Sequence, residues 1–176
     1  MILFLLGPSG SGKSQLASWV AADLDFLHLE IDRFPDGDGL DLEGLRAEWD
    51  HYWIGGNAGP LVTVLTERVA NANRAGVILS FPGNLVPFPA QMATAEQAGV
   101  CVVLLYGAGA DCLRSFLERE RDLARGLDEG FWTTNNACSY AMLSSPRFDD
   151  YRLCAFSHGE HRPRSELVGE IAQRAG

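Results

Sequence analysis

The sequence predicts an α/β domain on a parallel sheet, and three observations carry that prediction. Short apolar runs alternate with segments that repeat apolar residues at helical spacing. The runs are apolar at consecutive positions, as in strands covered on both faces. Glycine or proline ends the clearest of them, at Gly7 and at Pro82-Gly83.

In chain order, residues 2–6 form the first strand. Residues 13–23 follow as a helix, with Leu16, Ala17, Val20 and Leu24 on one stripe. A second strand is expected over 26–31, and a helix over 42–53 with Leu42, Leu45, Trp49 and Trp53 aligned. Pro60 opens a helix to about residue 75, because proline suits a helix's first turn. Residues 77–81 make the third strand, 90–97 a helix and 100–106 the fourth strand. A charged amphipathic helix spans 110–124. Mixed polarity and two glycines mark 125–136 as a mobile loop, with a short helix closing at 140–143. A fifth strand at 152–156 and a helix at 165–174 complete the chain, which carries no repeat or low-complexity linker.

The 176 residues suit one domain, here read as 1–176, and 47% hydrophobic content is ordinary for a globular chain. A formal net charge of -9 argues against nucleic acid as a partner, since that surface needs a basic face. It does not exclude a small phosphorylated ligand, which needs only a local positive site. Cys101, Cys112, Cys138 and Cys154 show no CxxC pairing or metal spacing and read as reduced, mostly packed thiols. The opening MILFLLG is too short to span a bilayer and lacks the basic leader of a signal peptide. The expectation is a cytoplasmic protein without a membrane partner; monomer and homodimer both stay open.

Gly7-Pro8-Ser9-Gly10-Ser11-Gly12-Lys13-Ser14 fits G-x-x-x-x-G-K-[ST] without a mismatch, between an apolar strand and an amphipathic helix. The glycines let the backbone turn tightly and aim its N–H groups inward as an anion nest. The helix start adds partial positive charge for phosphate oxygens. Lys13, the only lysine in the chain, is placed to bridge β and γ phosphates; Ser14 is placed to ligate Mg²⁺. Gln15 follows in the first helical turn as a further nucleotide contact. The expected ligands are therefore ATP and Mg²⁺. GTP is disfavoured because no N-K-x-D guanine-reading motif occurs.

With this motif near the N-terminus of one short α/β domain, the chain resembles the small P-loop kinases. That group includes the nucleoside monophosphate, shikimate, gluconate and chloramphenicol kinases. The layout matches along the whole chain, but only residues 7–14 match at motif strength. The resemblance implies the three-layer P-loop nucleoside triphosphate hydrolase fold, a five-stranded parallel sheet with helices on both faces. It also implies a substrate-binding helical segment, at about 34–75, and an arginine-bearing lid, at about 121–136. The implied activity is transfer of the γ-phosphoryl group of Mg-ATP to a hydroxyl or phosphate of a small metabolite.

Beyond the loop, Glu30 and Asp32 project from one side of the second strand's tip, since strand side chains alternate. Such carboxylates can order Mg²⁺ and take a hydroxyl proton. In the resemblance, Asp32 corresponds to the substrate-binding aspartate, with Glu30 in support; otherwise Asp32 and Arg33 cap a loop. Asp36, Asp38 and Asp41 resemble a calcium loop superficially, but Ala47 stands where the bidentate glutamate belongs. Arg46 is a candidate for gripping an acceptor, as an arginine of that segment does in shikimate kinases, or the partner of Asp50 four residues on. The tryptophans of 42–53 read as core.

Arg121 and Arg125 share a helix face where a lid would begin, and the residues do not separate them as the phosphoryl-stabilising arginine. Interleaved Glu118, Glu120, Asp122 and Asp128 offer local ion pairing instead. The strand at 77–81 offers Ser80 and no Walker B carboxylate, and Gly83-Asn84 either contacts substrate or turns the chain. Loop 157–164 is where the related kinases hold adenine, so Arg162 or Arg164 is a candidate for stacking on it; otherwise the loop is a solvated turn. The missing strand-three acid motivates an alternative: a nucleotide-binding regulatory module or slow ATPase without a phosphoryl acceptor.

Overall fold

The computed structural model describes all residues except 34–39, 42–43, 83–88, 124–125, 127 and 176, with side chains also left out at 32, 33, 40, 41, 82 and 89. Strand β1 (Ile2–Gly7) lies at the centre of the main sheet. On one side are β5 (Gly76–Pro82) and then β2 (Phe26–Glu30); on the other are β6 (Val100–Tyr106) and then β7 (Arg152–Cys154). All four pairings are parallel, giving the order β2-β5-β1-β6-β7. Two short antiparallel pairs lie apart from it: β3 (Asp32–Arg33) with β4 (Leu40–Asp41), and β8 (Phe156–Ser157) with β9 (Glu160–His161).

The central place of β1 follows from its sequence, because every residue of Ile2–Gly7 is buried. Phe4 and Leu6 face a cluster containing Trp49 and Tyr52 of α2 (Arg46–Trp53), Leu61 and Leu65 of α3 (Gly59–Ala72), and Met92 of α4 (Pro89–Gln97). Leu3 and Leu5 face the opposite cluster. It holds Leu16 and Val20 of α1 (Lys13–Asp23), Cys112 of α5 (Gly109–Asp122), and Leu167 and Ile171 of α7 (Arg164–Ala175). Helices therefore cover both sheet faces, the arrangement expected for near-continuous apolar strands. The predicted core role of Trp49 holds: it is buried, with Trp53 stacked on it and Phe81 edge-on.

Four differences from the sequence reading have local causes. First, 129–143 is helix, α6 (Glu129–Leu143), where a mobile loop through residue 136 was expected. The side chain of Asp128 accepts from the Phe131 amide and caps its start. Trp132 then packs on Phe116 at 5.3 Å, and Asn136 and Leu143 are buried along the same side. An asparagine on the inner face and a glycine in the first turn hid the helical period. Second, α2 begins at Arg46, with buried Leu45 at its cap position; Leu42 lies outside the described residues. Third, the last strand of the main sheet stops at Cys154, and β8 turns into β9 through His158 and Gly159, both at positive φ. Fourth, Cys138 and Cys154 are exposed rather than packed, although all four thiols are free.

Candidate functional site

The phosphate loop joins β1 to α1 at the C-terminal end of the sheet's central strand. Its shape depends on glycine at two positions in particular. At Gly10, φ is 78° and a Cβ would lie 1.9 Å from the Cys112 carbonyl oxygen, so the loop presses on the backbone of α5. At Gly12, φ is 88° and a Cβ would lie 2.9 Å from the His161 ring. Left-handed backbone and close approach both demand the residue without a side chain. Gly12 is also the cap residue of α1; among the described residues no side chain caps that helix, and its first turn carries no acid. The first amides of a helix are the groups an anion takes, with helix polarity favouring one.

Lys13 lies at the start of α1, half-buried, with Nζ donating to the Pro8 carbonyl at 2.9 Å. The ammonium thus sits over the loop's own backbone. Ser14 and Gln15 are exposed in the same turn. Ser9 accepts through its carbonyl from Asn136 Nδ2 at 3.3 Å. The Ser11 hydroxyl is fully buried and has no hydrogen-bond partner among the described residues. Cys112, against the loop, has its thiol pushed up to about 11 by burial, which outweighs the nearby Lys13 charge. It is therefore a neutral packing group near pH 7 rather than a nucleophile.

The tip of β2 reaches this loop. Glu30 lies opposite Ser80 in the sheet, and its carboxylate accepts a hydrogen bond from the Ser14 hydroxyl. A hydroxyl and a carboxylate oxygen together are the hard donors that Mg²⁺ takes alongside water and phosphate, so these residues fit that ion. Ser80, on the strand beside the loop, is buried and hydrogen-bonded to His28 Nε2 at 2.9 Å. Asp32 begins the β3–β4 pair, opposite Asp41, immediately beyond Glu30 and Ile31; its side chain is among those not described.

The predicted basic residues have other partners. Arg46 pairs with Asp50 at 2.9 Å and is exposed. Arg121 makes two bonds to Glu129, at 2.8 and 3.0 Å, which link α5 to α6. That pairing holds the Glu129 carboxyl below its usual range. Arg162 binds Glu166 at 3.1 Å, Glu170, and the Cys154 carbonyl at 3.0 Å; Arg164 binds Asp23. Arg125, Gly83, Asp36 and Asp38 lie outside the described residues. Among the described residues, no cluster of three or more His, Cys, Asp or Glu could hold a metal.

Sequence reasoning missed three contributors. The backbone of α5 at Cys112 and Phe116 forms the wall behind Gly10. His161 lies against Gly12 and packs on Phe156, with ring centroids 4.1 Å apart. Asn136 reaches the loop from α6. None carries a motif; a buried asparagine on an aromatic helix face was the nearest available signal.

No family model matches the chain, and no curated protein matches it. Solved structures do. A gluconokinase from Sinorhizobium meliloti 1021 is 16% identical with a TM-score of 0.52, covering 99% of this chain and 90% of that one. A shikimate kinase from Acinetobacter baumannii, in complex with shikimate, is 19% identical with a TM-score of 0.53, covering 97% and 90%. A sugar kinase from Janibacter sp. HTCC2649 is 16% identical with a TM-score of 0.53, covering 97% and 91%. At these identities the likeness establishes architecture, and this chain has the three-layer fold of the small P-loop kinases.

Proposed function

We propose that this protein is an ATP-dependent phosphotransferase acting on a hydroxyl of a small molecule. One observation carries the reading: a formed phosphate loop in which the Ser14 hydroxyl meets the Glu30 carboxylate beside Lys13. Hard oxygen donors and one cation lie together there, which supports binding of a Mg-triphosphate. The shared fold supports the same reading, since the gluconokinase, shikimate kinase and sugar kinase above are named for small-molecule acceptors.

In this proposal amides of the loop and of the start of α1, together with Lys13, hold the β and γ phosphates. They are oriented before reaction, so they stabilise developing charge without reorganising. Ser14 and Glu30 would hold Mg²⁺, which neutralises charge on the phosphates. The acceptor oxygen bonds to the γ-phosphorus as the bond to the β–γ bridging oxygen breaks, and ADP leaves with that electron pair. The acceptor's proton passes to a carboxylate, with Asp32 at the start of β3 as the proposed base and Glu30 at the end of β2 supporting it. Arg125 or Arg121 serves as the lid cation; for Arg121 this requires release from Glu129.

A second reading has its own observation. Strand β5 offers Ser80 and no carboxylate, and Arg46 and Arg121 are both ion-paired. This favours a module that binds ATP and transfers nothing. Release of ADP from Mg-ATP, with and without a pool of hydroxylated metabolites, separates the two. Acceptor-dependent ADP that falls about 100-fold in Lys13→Ala supports the phosphotransferase. Lys13-dependent ATP binding without acceptor stimulation supports the module. No ATP binding by the folded wild-type protein rejects both.

A further inference from the structure

We infer that Asn136 is a positioning residue of the phosphate loop, tying helix α6 to the backbone that cradles the nucleotide. The inference rests on the nucleotide-binding reading above. Four polar side chains are buried among the described residues: Ser11, Ser80, Glu120 and Asn136. Burying a polar group costs free energy unless a partner repays its lost hydration. Three of the four touch the loop or flank it: Ser11 belongs to it, Ser80 pairs opposite Glu30, and Asn136 bonds to it. Asn136 is 4% exposed and comes from 127 residues away in sequence. Its Nδ2 donates to the Ser9 carbonyl at 3.3 Å.

The contact acts on a particular part of the backbone. Ser9 stands between Pro8, whose carbonyl accepts from Lys13 Nζ, and Gly10, which abuts α5. Turning the Ser9 carbonyl toward α6 fixes the peptide plane shared with the Gly10 amide. Carbonyls directed outward leave amides free to face an anion, the requirement of a nest. Without Asn136 the Ser9 carbonyl loses its side-chain donor and that peptide can rotate. The α5–α6 hairpin therefore grips the loop twice, through the α5 backbone at Gly10 and through Asn136 at Ser9. The rest of α6 keeps the amide in place: Trp132 packs on Phe116, and Tyr140 stacks on Tyr106 at 5.2 Å.

The test compares binding with folding. Asn136→Leu keeps the volume and the helix but removes the donor; Asn136→Ala serves if leucine disturbs packing. Thr134→Ala, on the exposed side of α6, is the control. Calorimetric titration with Mg-ATP and with inorganic tripolyphosphate measures affinity, and a thermal melt measures the fold. The expected result is about three- to tenfold weaker binding of both ligands, the range of one lost hydrogen bond. Thr134→Ala should match wild type, and the melting temperature of at least one Asn136 variant should stay at the wild-type value. Unchanged affinity in a folded variant overturns the inference. So does weakening that only tracks a loss of folded protein. A wild-type protein that binds neither ligand removes the nucleotide reading itself, a result visible before any variant is made.

Discussion

The phosphate loop and the α5–α6 hairpin behind it meet at Gly10 and Ser9, yet they are specified differently. The loop is defined by backbone: left-handed φ at Gly10 and Gly12, a helix start without a side-chain cap, and carbonyls pressed against a glycine. The hairpin is defined by side chains from separate helices, namely Phe116 on Trp132, Asn136 on Ser9 and Arg121 on Glu129. Backbone geometry of this kind tolerates almost no substitution, whereas an exposed ion pair can change with little effect. The difference teaches that the loop's shape and the hairpin's surface contacts can vary independently.

The largest expected effect tests the backbone side. Gly10→Ala places a methyl 1.9 Å from the Cys112 carbonyl at a φ of 78°, so loop and α5 must separate. Chemical denaturation should show a loss of about 3 kcal/mol or more, in the range of overpacking plus backbone strain. A stability change near zero would mean that α5 does not hold the loop.

Next is the carboxylate that reaches the loop from β2. Glu30→Gln keeps a hydrogen-bond acceptor for Ser14 but removes the charge suited to Mg²⁺. Turnover should fall about 100-fold while melting stays close to wild type, as for loss of one group acting on developing charge. Unaltered Mg²⁺ dependence would transfer that role to a residue beyond Glu30, Asp32 being first in line.

The smallest effect belongs to the hairpin's exposed ion pair. Arg121→Ala should barely move the melting temperature at pH 7, because surface pairs are worth little. Its pH dependence has a definite sign. Arg121 holds the Glu129 carboxyl below its ordinary value, so the folded state binds fewer protons than the unfolded one in that range. The pair's contribution is present above the ordinary carboxylate pKa and is lost as pH falls through the lowered one. Wild type should therefore lose slightly more stability than Arg121→Ala between pH 5 and acid. Parallel curves would show that the pair adds nothing to the hairpin.

The legibility of the site follows the same division. Residues 7–14 declared themselves in eight letters because each glycine and the lysine answer a local requirement. The α/β class was equally legible, because strands buried on both faces must be apolar along their length. By contrast, 129–143 gave no clean helical period. Its inner face mixes Trp132 and Leu143 with Asn136, whose burial makes sense only once the Ser9 carbonyl is beside it. Arg46 and Arg162 read equally well as ligand-binding or structural, since a guanidinium's role depends on which carboxylate lies closest.

By itself, then, the sequence determined the alternation of elements, the apolar first strand, and the glycine-rich turn after it with its single lysine. These rest on local backbone preference and on burial patterns repeated every two or four residues. Tertiary structure alone decided that Glu30 meets Ser14, that Cys112 and Asn136 back the loop, and that Arg121 and Arg162 pair within the protein. Apart from Arg162 with Glu166, four residues on, those outcomes depend on groups between 8 and 127 positions apart in the chain. Only the folded sheet and its packed helices bring such distant groups within hydrogen-bond reach.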